Sequence, residues 1–521
     1  MSKSKKPRIA AVIDIGSNEI KLMIAQASSS EEAEPSGKYQ TPKYLENLSY
    51  PLGLGRDTFQ TGRIGFDKTE KACEIINNYL KVIKDYGVRD AKAIATTAVR
   101  EAGNMDYILD QIKIKTGLSV HVLDDMEEKN YLYKLLTHCA GEEMLRSAMM
   151  VYIGTGNIGV SVIQDGQMPY VRIIKVGSLR MGELFGDLEG YTSDFYLLME
   201  EYLASFTDVL GNEISKDIKY FVASGHEIGL IAELTGVKAE APFYNIPRKK
   251  ILALYNDIKT KSDAQTAADY KIDIERAGLL LPAACIYQNL LGFTGAEQIT
   301  AARFLPCDAV LYEMLYSKTF MQLNKSQGRS TLLSARALAK RFEANEAHYT
   351  HVNGFAMTIF DKMKKIHGLG GREKLLLQTA AILHDTGKFI NNREHYRHSC
   401  EIIRGSDIAG LSQLETNIVA LISLNHSRLT PSTSEPMYAA LTVENRVRVS
   451  KLAAILRLSD ALDRSHTKKF PPITVKTTTD AMTVHVETDS NAALEQWSFN
   501  DKGNFFEEVF GIKAKIKVKR L

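Results

Sequence analysis

The stretch from Ile9 to Gln26 constrains this chain most. Ile9-Ala10-Ala11-Val12-Ile13 is small and β-branched, breaks at Asp14-Ile15-Gly16-Ser17-Asn18 and resumes as Ile20-Lys21-Leu22-Met23-Ile24. That alternation of apolar run and polar break predicts strand, tight turn, strand. The pattern returns where Met149-Met150-Val151-Tyr152-Ile153 meets Gly154-Thr155-Gly156-Asn157 and then Gly159-Val160-Ser161-Val162-Ile163. Two such units predict two similar α/β lobes facing each other across a cleft. Gly16 permits close backbone approach, and free N–H groups in such a turn point at an anion. With the Asp14 carboxylate ending the strand, the cleft suits a metal-bound phosphate chain or a nucleotide.

A chain of 521 residues is too long for one ordinary core, and roughly three or four domains are expected. A composition of 45% hydrophobic and 24% charged residues is that of a globular protein. The net charge of +3 argues against a general nucleic-acid binder, so any polyanion site must come from local clustering. Cys73, Cys139, Cys285, Cys307 and Cys400 form no Cys-x-x-Cys pair, which fits reduced cytosolic thiols. No apolar stretch long enough for a signal peptide follows the basic start, and none reaches the ~18 residues of a membrane span. The expectation is a soluble cytoplasmic enzyme or regulator, with neither specific nucleic acid nor membrane as partner.

Along the chain, Ser28 to Gly37 reads as an exposed acidic loop, and Ala72, Ile75, Ile76, Tyr79, Leu80 and Ile83 fall at helical spacing. Ala93-Ile94-Ala95 predicts a short strand leading into Thr96 to Ala102, where Thr97 and Arg100 either meet a phosphate or serve as cap and surface charge. Val120 to Leu123 predicts another strand, followed by Asp124-Asp125-Met126-Glu127-Glu128 and a helix. Those acids either complement the helix dipole, or one of them orients or deprotonates an attacking water. Asp165-Gly166 is a two-residue hairpin turn. Ile218 to Ala223 predicts a strand ending at Ser224-Gly225-His226-Glu227, a third wall of the cleft. Helical spacing runs from Lys249 to Leu291, the second lobe closes near Tyr316, and Leu323 to Ser330 is the expected linker.

Beyond it come long amphipathic helices with seven of the twelve histidines between 348 and 426. His384-Asp385 ends the apolar stretch Leu375 to Leu383 and precedes Thr386-Gly387-Lys388. Adjacent His and Asp can bridge two divalent metals, since the carboxylate neutralises charge while imidazole supplies a directional nitrogen. His348, His398, His426 and Asp460 are further candidate ligands. The final segment, Pro471 to Leu521, is strand-rich, and Ile512 to Arg520 alternates apolar and basic. It reads either as an edge strand protected by lysines or as a polyanion track.

Ile13-Asp14-Ile15-Gly16-Ser17-Asn18 and Ala95-Thr96-Thr97-Ala98-Val99-Arg100-Glu101-Ala102-Gly103-Asn104 resemble signatures of the exopolyphosphatase and guanosine pentaphosphate phosphohydrolase (Ppx/GppA) family. The resemblance covers nearly the whole chain. It implies an α/β plus all-α architecture: a two-lobed actin-like (ribonuclease H-like) ATPase-type fold over 1–139 and 140–322, an HD-type helical domain over 330–466 and a small α+β domain over 470–521. It further implies a homodimer and Mg²⁺-assisted release of terminal phosphate from inorganic polyphosphate or pppGpp. Glu128 falls on the family's catalytic glutamate and Asp14 on the residue expected to help hold the metal. Gly16, Ser17, Asn18, Lys21, Thr97, Arg100, Gly154, Gly156, Asn157 and Gly225 are the implied phosphate-binding set.

The chain departs from the family pattern in opposite directions in its two halves. The family's second loop, Ile-Asp-Ile-Gly-Gly-Gly-Ser-Thr-Glu, is here Val151 to Gly159, so that Tyr152 replaces a metal-side carboxylate and Gly159 a glutamate. Lys21 stands in place of an arginine and lacks its bidentate fork. Ser224-Gly225-His226 replaces Gly-Gly-Thr, and Pro306-Cys307-Asp308-Ala309 replaces Leu-Arg-Glu-Gly. A phenol cannot replace a carboxylate beside Mg²⁺, so these changes weaken the cleft as a catalyst more than as an anion pocket. By contrast, His384 to Lys388 matches the HD signature and Leu456 to Asp463 the helix carrying its final Asp. Aligning on Phe360-Asp361 makes His348 rather than His351 the first ligand. His398 and His426 complete the set, with His395 competing with His398. A pair of Mn²⁺, Fe²⁺ or Zn²⁺ ions there could activate water for attack on phosphorus. Three readings follow: a hydrolase working in the N-terminal cleft, a two-metal hydrolase in the HD domain with the cleft as a sensor, and a non-enzymatic binder of polyphosphate or an alarmone.

Overall fold

The computed structural model describes residues 8–28, 39–185, 195–212, 214, 217–238 and 242–520. They form two compact units divided between Gln327 and Gly328. The acidic stretch 29–37, expected to be a loop, lies outside the described residues.

The first unit holds two sheets. In one, Ile9–Ile15 (β1) pairs antiparallel with Glu19–Gln26 (β2), and Lys43–Pro51 (β3) pairs with β2. Asp90–Ala95 (β4) lies parallel to β1 on its other side, with Val120–Val122 (β5) beyond it. The order is β3-β2-β1-β4-β5. The second sheet repeats this with Ser147–Ile153 (β6), Ile158–Gln164 (β7) and Gln167–Ile174 (β8), plus Tyr220–Gly225 (β9) parallel to β6. Phe243–Pro247 (β10) and Gln298–Ala302 (β11) extend it to the order β10-β11-β9-β6-β7-β8. Asp165 and Gly166 take φ of 49° and 72°, the left-handed pair that a two-residue hairpin turn requires. Each sheet has its own core. Ile13, Ile15 and Leu22 pack with Ile76 and Tyr79, and Val151, Ile153 and Val160 pack with Ile286 and Tyr287. Each fully buried apolar side chain contributes ~1.5–3 kcal/mol.

The expected linker is helical. Leu323 to Ser330 lies inside the helix Ser317–Arg341, because Thr331, Ala335 and Ala339 repeat at i, i+4 and are all buried. A lone Gly328 costs only about 1 kcal/mol against that anchoring.

The second unit gathers the helices Glu346–Lys362, Gly371–Leu383, His395–Arg404, Gln413–Leu424 and Val443–Ala461. Thr474–Thr477 (β12), Ala481–Thr488 (β13) and Lys513–Arg520 (β14) follow as a three-stranded sheet, with the helix Ala493–Phe510 between its last two strands. One core joins Phe355, Leu376 and Leu456 to Val484, Phe499 and Phe506, so the segments 330–466 and 470–521 are packed together. Strand β14 is an edge, with Lys513, Lys515, Lys517 and Lys519 exposed and Ala514, Ile516 and Val518 turned to the core. That arrangement fits the protected-edge reading. Among the described residues, no helix is long and apolar enough to cross a membrane.

Candidate functional site

The two strand-turn-strand units of the first unit are equivalent in register. Asp14 lies opposite Lys21 and beside Ile94, while Tyr152 lies opposite Gly159 and beside Ser224. The Gly16 N–H donates to Glu19 O at 3.0 Å and the Gly154 N–H to Asn157 O at 2.9 Å. The turns meet, since Thr155 Oγ1 donates to Ser17 Oγ at 2.9 Å. A helix starts behind each one: the Gly55 N–H donates to Ser17 O at 2.7 Å and the Arg180 N–H to Thr155 O at 2.9 Å. A Cβ on Gly55 would lie 2.6 Å from that of Ser17, so glycine is what lets its helix close on the turn.

Between the turns lies a polar cavity walled by Asp14, Ser17, Thr97, Glu128, Tyr152 and Thr155, with room of only about 20 Å³ for the centres of water molecules. That is space for about one water. Gly16, Asn18, Lys21 and His226 also line it. Asp14 is 7% exposed and its Oδ1 has no hydrogen-bond partner. Burial pushes its carboxyl up to about 7, opposed by a hydrogen bond from Cys307 and the charge of Lys21. An orphaned carboxylate oxygen on a cavity wall fits Mg²⁺, which binds through one or two carboxylates together with substrate oxygens. Tyr152 offers no such oxygen, because burial pushes its phenol well above the ordinary value.

Glu128 rides on the helix Asp125–Cys139. Asp124 and Glu127 form a reciprocal capping box at its start, so these two acids serve the helix end. Asp125 and Glu128 instead face Arg100. Arg100 Nη1 is 3.5 Å from Glu128 Oε2 and donates to Leu123 O at 2.6 Å, while Nη2 donates to Thr97 Oγ1 at 3.0 Å and bonds Asp125 Oδ1. Arg100 is thereby spent within the protein, and it holds Glu128 rather than lining the cavity. Gly154, Gly156, Asn157 and Gly225 also sit behind the wall instead of on it. A Cβ on Gly156 would lie 2.4 Å from Thr97 Cγ2, and one on Gly225, whose φ is 156°, would lie 2.4 Å from Ile153 O. These two glycines serve close packing between elements.

Sequence reasoning missed Lys129. It is fully buried, with Nζ 3.2 Å from Glu128 Oε1, bonded to Asn157 Oδ1, and 4.5 Å from the centre of the Tyr152 ring. Burial pulls its pKa down, against the opposing charges of Glu128 and Asp125. A Cβ on Gly159 would lie 2.9 Å from Lys129 Cγ. The two departures of the second loop therefore act together: Gly159 makes room for the lysine and the Tyr152 ring receives its ammonium. The only trace in the sequence was that both unusual residues fall on facing strands.

The second unit brings a histidine cluster together. His348 Nε2 lies 3.2 Å from His384 Nε2, 3.5 Å from Asp385 Oδ2 and 3.4 Å from Asp460 Oδ1. His384 Nε2 is 3.7 Å from each of the same two oxygens. The other oxygen of Asp385, Oδ1, is 3.3 Å from His395 Nε2 and 3.7 Å from His426 Nε2. Asp385 thus faces two donor groups at once. Each Nδ1 is committed elsewhere: that of His348 to Asp463 Oδ2 at 2.8 Å, His384 to Ala381 O at 2.8 Å, His395 to Asn392 O at 3.1 Å and His426 to Ser423 O at 2.6 Å. Such bonds fix the ring and turn every Nε2 inward. Donor separations of this size suit ions with bonds of about 2.0–2.2 Å, so the residues fit a metal pair. Although burial pulls it down, Asp460 and Asp463 hold His348 up at about 9, so an ion bound there would have to displace a proton.

One expected ligand changes. His395, not His398, joins the cluster, because Glu394 takes a left-handed φ of 56° before the helix and swings its first residue inward. His398 packs against Gly387, where a Cβ would lie 2.8 Å from that of His398. His351 donates from Nε2 to Phe470 O at 2.7 Å behind the cluster, which leaves His348 in the leading place. Two lysines close the shell: Lys388 on Asp385 Oδ2 and Lys502, from the C-terminal helix, 2.6 Å from Asp460 Oδ2.

Comparison with known proteins matches residues 39–317 to the Ppx/GppA phosphatase family and residues 332–501 to Ppx/GppA phosphatase, domain III. A guanosine-5'-triphosphate,3'-diphosphate pyrophosphatase of Photobacterium profundum is 23% identical over 473 residues, 88% of each chain. Its namesake from Vibrio campbellii is 20% identical over 94% of this chain and 93% of its own. Among solved structures, an exopolyphosphatase from Cytophaga hutchinsonii aligns with a TM-score of 0.52 at 18% identity, covering 60% of this chain and 98% of that one. The Aquifex aeolicus Ppx/GppA family member aligns with a TM-score of 0.50 at 21% identity, covering 61% and 99%. These structures share the two-lobed actin-like fold, and with a family model spanning more than half of its length the chain belongs to the Ppx/GppA phosphatase family.

Proposed function

We propose that this chain is a phosphohydrolase that releases terminal phosphate from inorganic polyphosphate or pppGpp in the N-terminal cleft. The observation that carries this reading is that Glu128 and the unpartnered Oδ1 of Asp14 face one small polar cavity beside the Gly16–Asn18 turn. In it, Asp14 holds Mg²⁺, which when bound neutralises charge on the phosphate. Glu128, fixed by Arg100 and Lys129, orients the attacking water and accepts its proton. Lys21 and Thr97 contact the phosphate, and the Gly16 turn lies against it. A homodimer in the cytoplasm belongs to the same reading, by likeness to the family. The test is phosphate release from both substrates with Mg²⁺: Glu128→Gln is expected to lower the rate by at least ~100-fold, and an unchanged rate would end the assignment.

A second centre is favoured by the inward-facing Nε2 atoms around the two oxygens of Asp385. On this reading the helical unit is of HD type and hydrolyses a phosphoester or phosphoanhydride with a metal pair held by His348, His384, Asp385, His395, His426 and Asp460. Such a pair, when bound, activates water and neutralises the phosphate, while Lys388 adds a fixed positive charge beside Asp385. Asp385→Ala tested in the same assay with Mn²⁺ separates the two centres, since it abolishes only the activity of this one.

A further inference from the structure

We propose that Arg457 is a positioning residue for one ion of the histidine cluster, holding the backbone that carries His426; the inference rests on the metal-pair reading of the second unit. Arg457 lies on the helix Val443–Ala461, one turn before Asp460, and is only 6% exposed. Its Nη1 donates to Asn425 O at 2.8 Å, Ser427 O at 2.7 Å and Leu429 O at 2.6 Å. These carbonyls belong to the turn after the helix Gln413–Leu424, which Asn425 caps. The last carbonyls of a helix have no partner within it, and a basic side chain can take them up. Here one nitrogen faces three of them, so the chain is gripped on both sides of His426. Arg457 Nε, by contrast, is buried without a hydrogen-bond partner. An unmade donor in the interior is a cost, and the guanidinium bears it while bringing Nη1 to the turn.

The grip bears on one ion more than on the other. His348, His384, Asp385 Oδ2 and Asp460 face the first place, and His348 and Asp460 are fixed within helices. Asp385 Oδ1, His395 and His426 face the second, and His426 comes from the turn. Its Nδ1 bond to Ser423 O at 2.6 Å orients the ring, while Arg457 fixes the path of the chain that bears it. Together they leave Nε2 at 3.3 Å from His395 Nε2 and 3.7 Å from Asp385 Oδ1. An ion with three protein donors depends on each of them, and a ligand set loose from its outer partners binds more weakly.

The test uses the full chain stripped of metal and titrated with Co²⁺, following visible absorption and bound cobalt by dialysis. The wild type is expected to bind two ions, and His395→Ala, which removes a ligand of the second, identifies the band of that ion. Arg457→Met keeps the bulk of the side chain but leaves the three carbonyls unmet. It is expected to hold the first ion as the wild type does and the second about tenfold or more weakly. Arg457→Lys returns an ammonium with three donors on a shorter reach, and should recover part of that loss. Equal weakening of both ions in Arg457→Met, or none, would leave Arg457 as a structural clamp and overturn the proposal. Should Arg457→Met fail to fold, Arg457→Lys decides: weakening confined to the second ion upholds the proposal, and unchanged binding overturns it. Wild-type protein that binds no cobalt, or no more than Asp385→Ala, would instead overturn the metal-pair reading beneath it.

Discussion

The ammonium of Lys129 lies 4.5 Å from the centre of the Tyr152 ring, and it reaches there because Gly159 has no side chain to stop it. Adding a methyl at Gly159 would place a Cβ 2.9 Å from Lys129 Cγ and 2.8 Å from the Tyr133 hydroxyl. Gly159→Ala is expected to cost about 1–3 kcal/mol, the usual range for overfilling a packed interior. In a Lys129→Ala background the same substitution should cost less, because one of the two clashing groups is gone. Urea unfolding of the four proteins gives the coupling, and strictly additive losses would mean that Gly159 and Lys129 do not share this space.

Glu227 governs a pH effect in the same unit. It is 5% exposed, with Oε1 accepting from Ser178 Oγ at 3.0 Å and Oε2 without a partner. Burial raises its carboxyl from 4.5 to about 7, with the Ser178 bond opposing. Below pH 4.5 the acid is protonated in both states and carries no penalty. Between there and about 7 the unfolded chain loses its proton first, so stability falls as pH rises, and above 7 the loss levels off at about 3 kcal/mol. Glu227→Gln removes the titration. Its stability relative to wild type should grow from pH 5 to pH 8, and an advantage independent of pH would contradict the cause given.

What could be read in the sequence follows from how local each signal is. The paired hairpins at Asp14 and Tyr152 were legible because apolar β-branched runs interrupted by glycine have few other solutions. Much of the histidine cluster was legible because His384-Asp385 marks a helix end. Lys129 was not, since a lysine beside acids is ordinarily solvated and only the tertiary pairing of Tyr152 with Gly159 creates its seat. The choice between His395 and His398 turned on the left-handed backbone of Glu394, which no periodicity encodes. The polar stretch around Gly328 does hold the boundary between the two units, but its composition does not reveal that Gln327 and Ser330 are buried like Thr331, Ala335 and Ala339, which carries a helix through it.

The two candidate histidines can be separated by metal content. His395 Nε2 is 3.3 Å from both Asp385 Oδ1 and His426 Nε2, whereas His398 packs against Gly387. His395→Ala should lose one of two bound Mn²⁺ or Co²⁺ ions per chain, or weaken it by at least about tenfold. His398→Ala should keep both. Elemental analysis after dialysis decides it, and loss of an ion in His398→Ala with retention in His395→Ala would restore the order expected from sequence.

Lys502 ties the C-terminal helix to the same cluster. Its Nζ is 2.6 Å from Asp460 Oδ2, and both groups are buried, at 7% and 4% exposure. Substituting Lys502→Met strips the carboxylate of its nearest cation in a region where water cannot replace it. Breaking a buried pair from one side costs about 3–5 kcal/mol, and the loss should be largest in chelator. With Co²⁺ present, an ion bound through Asp460 Oδ1 supplies part of the missing charge, so the deficit against wild type should shrink. The double substitution Lys502→Met with Asp460→Asn should be less destabilised in chelator than Lys502→Met alone, because no unpaired charge remains. Thermal unfolding of these variants with EDTA and with Co²⁺ measures each step, and a Lys502→Met deficit equal under both conditions would show that Asp460 does not meet a metal.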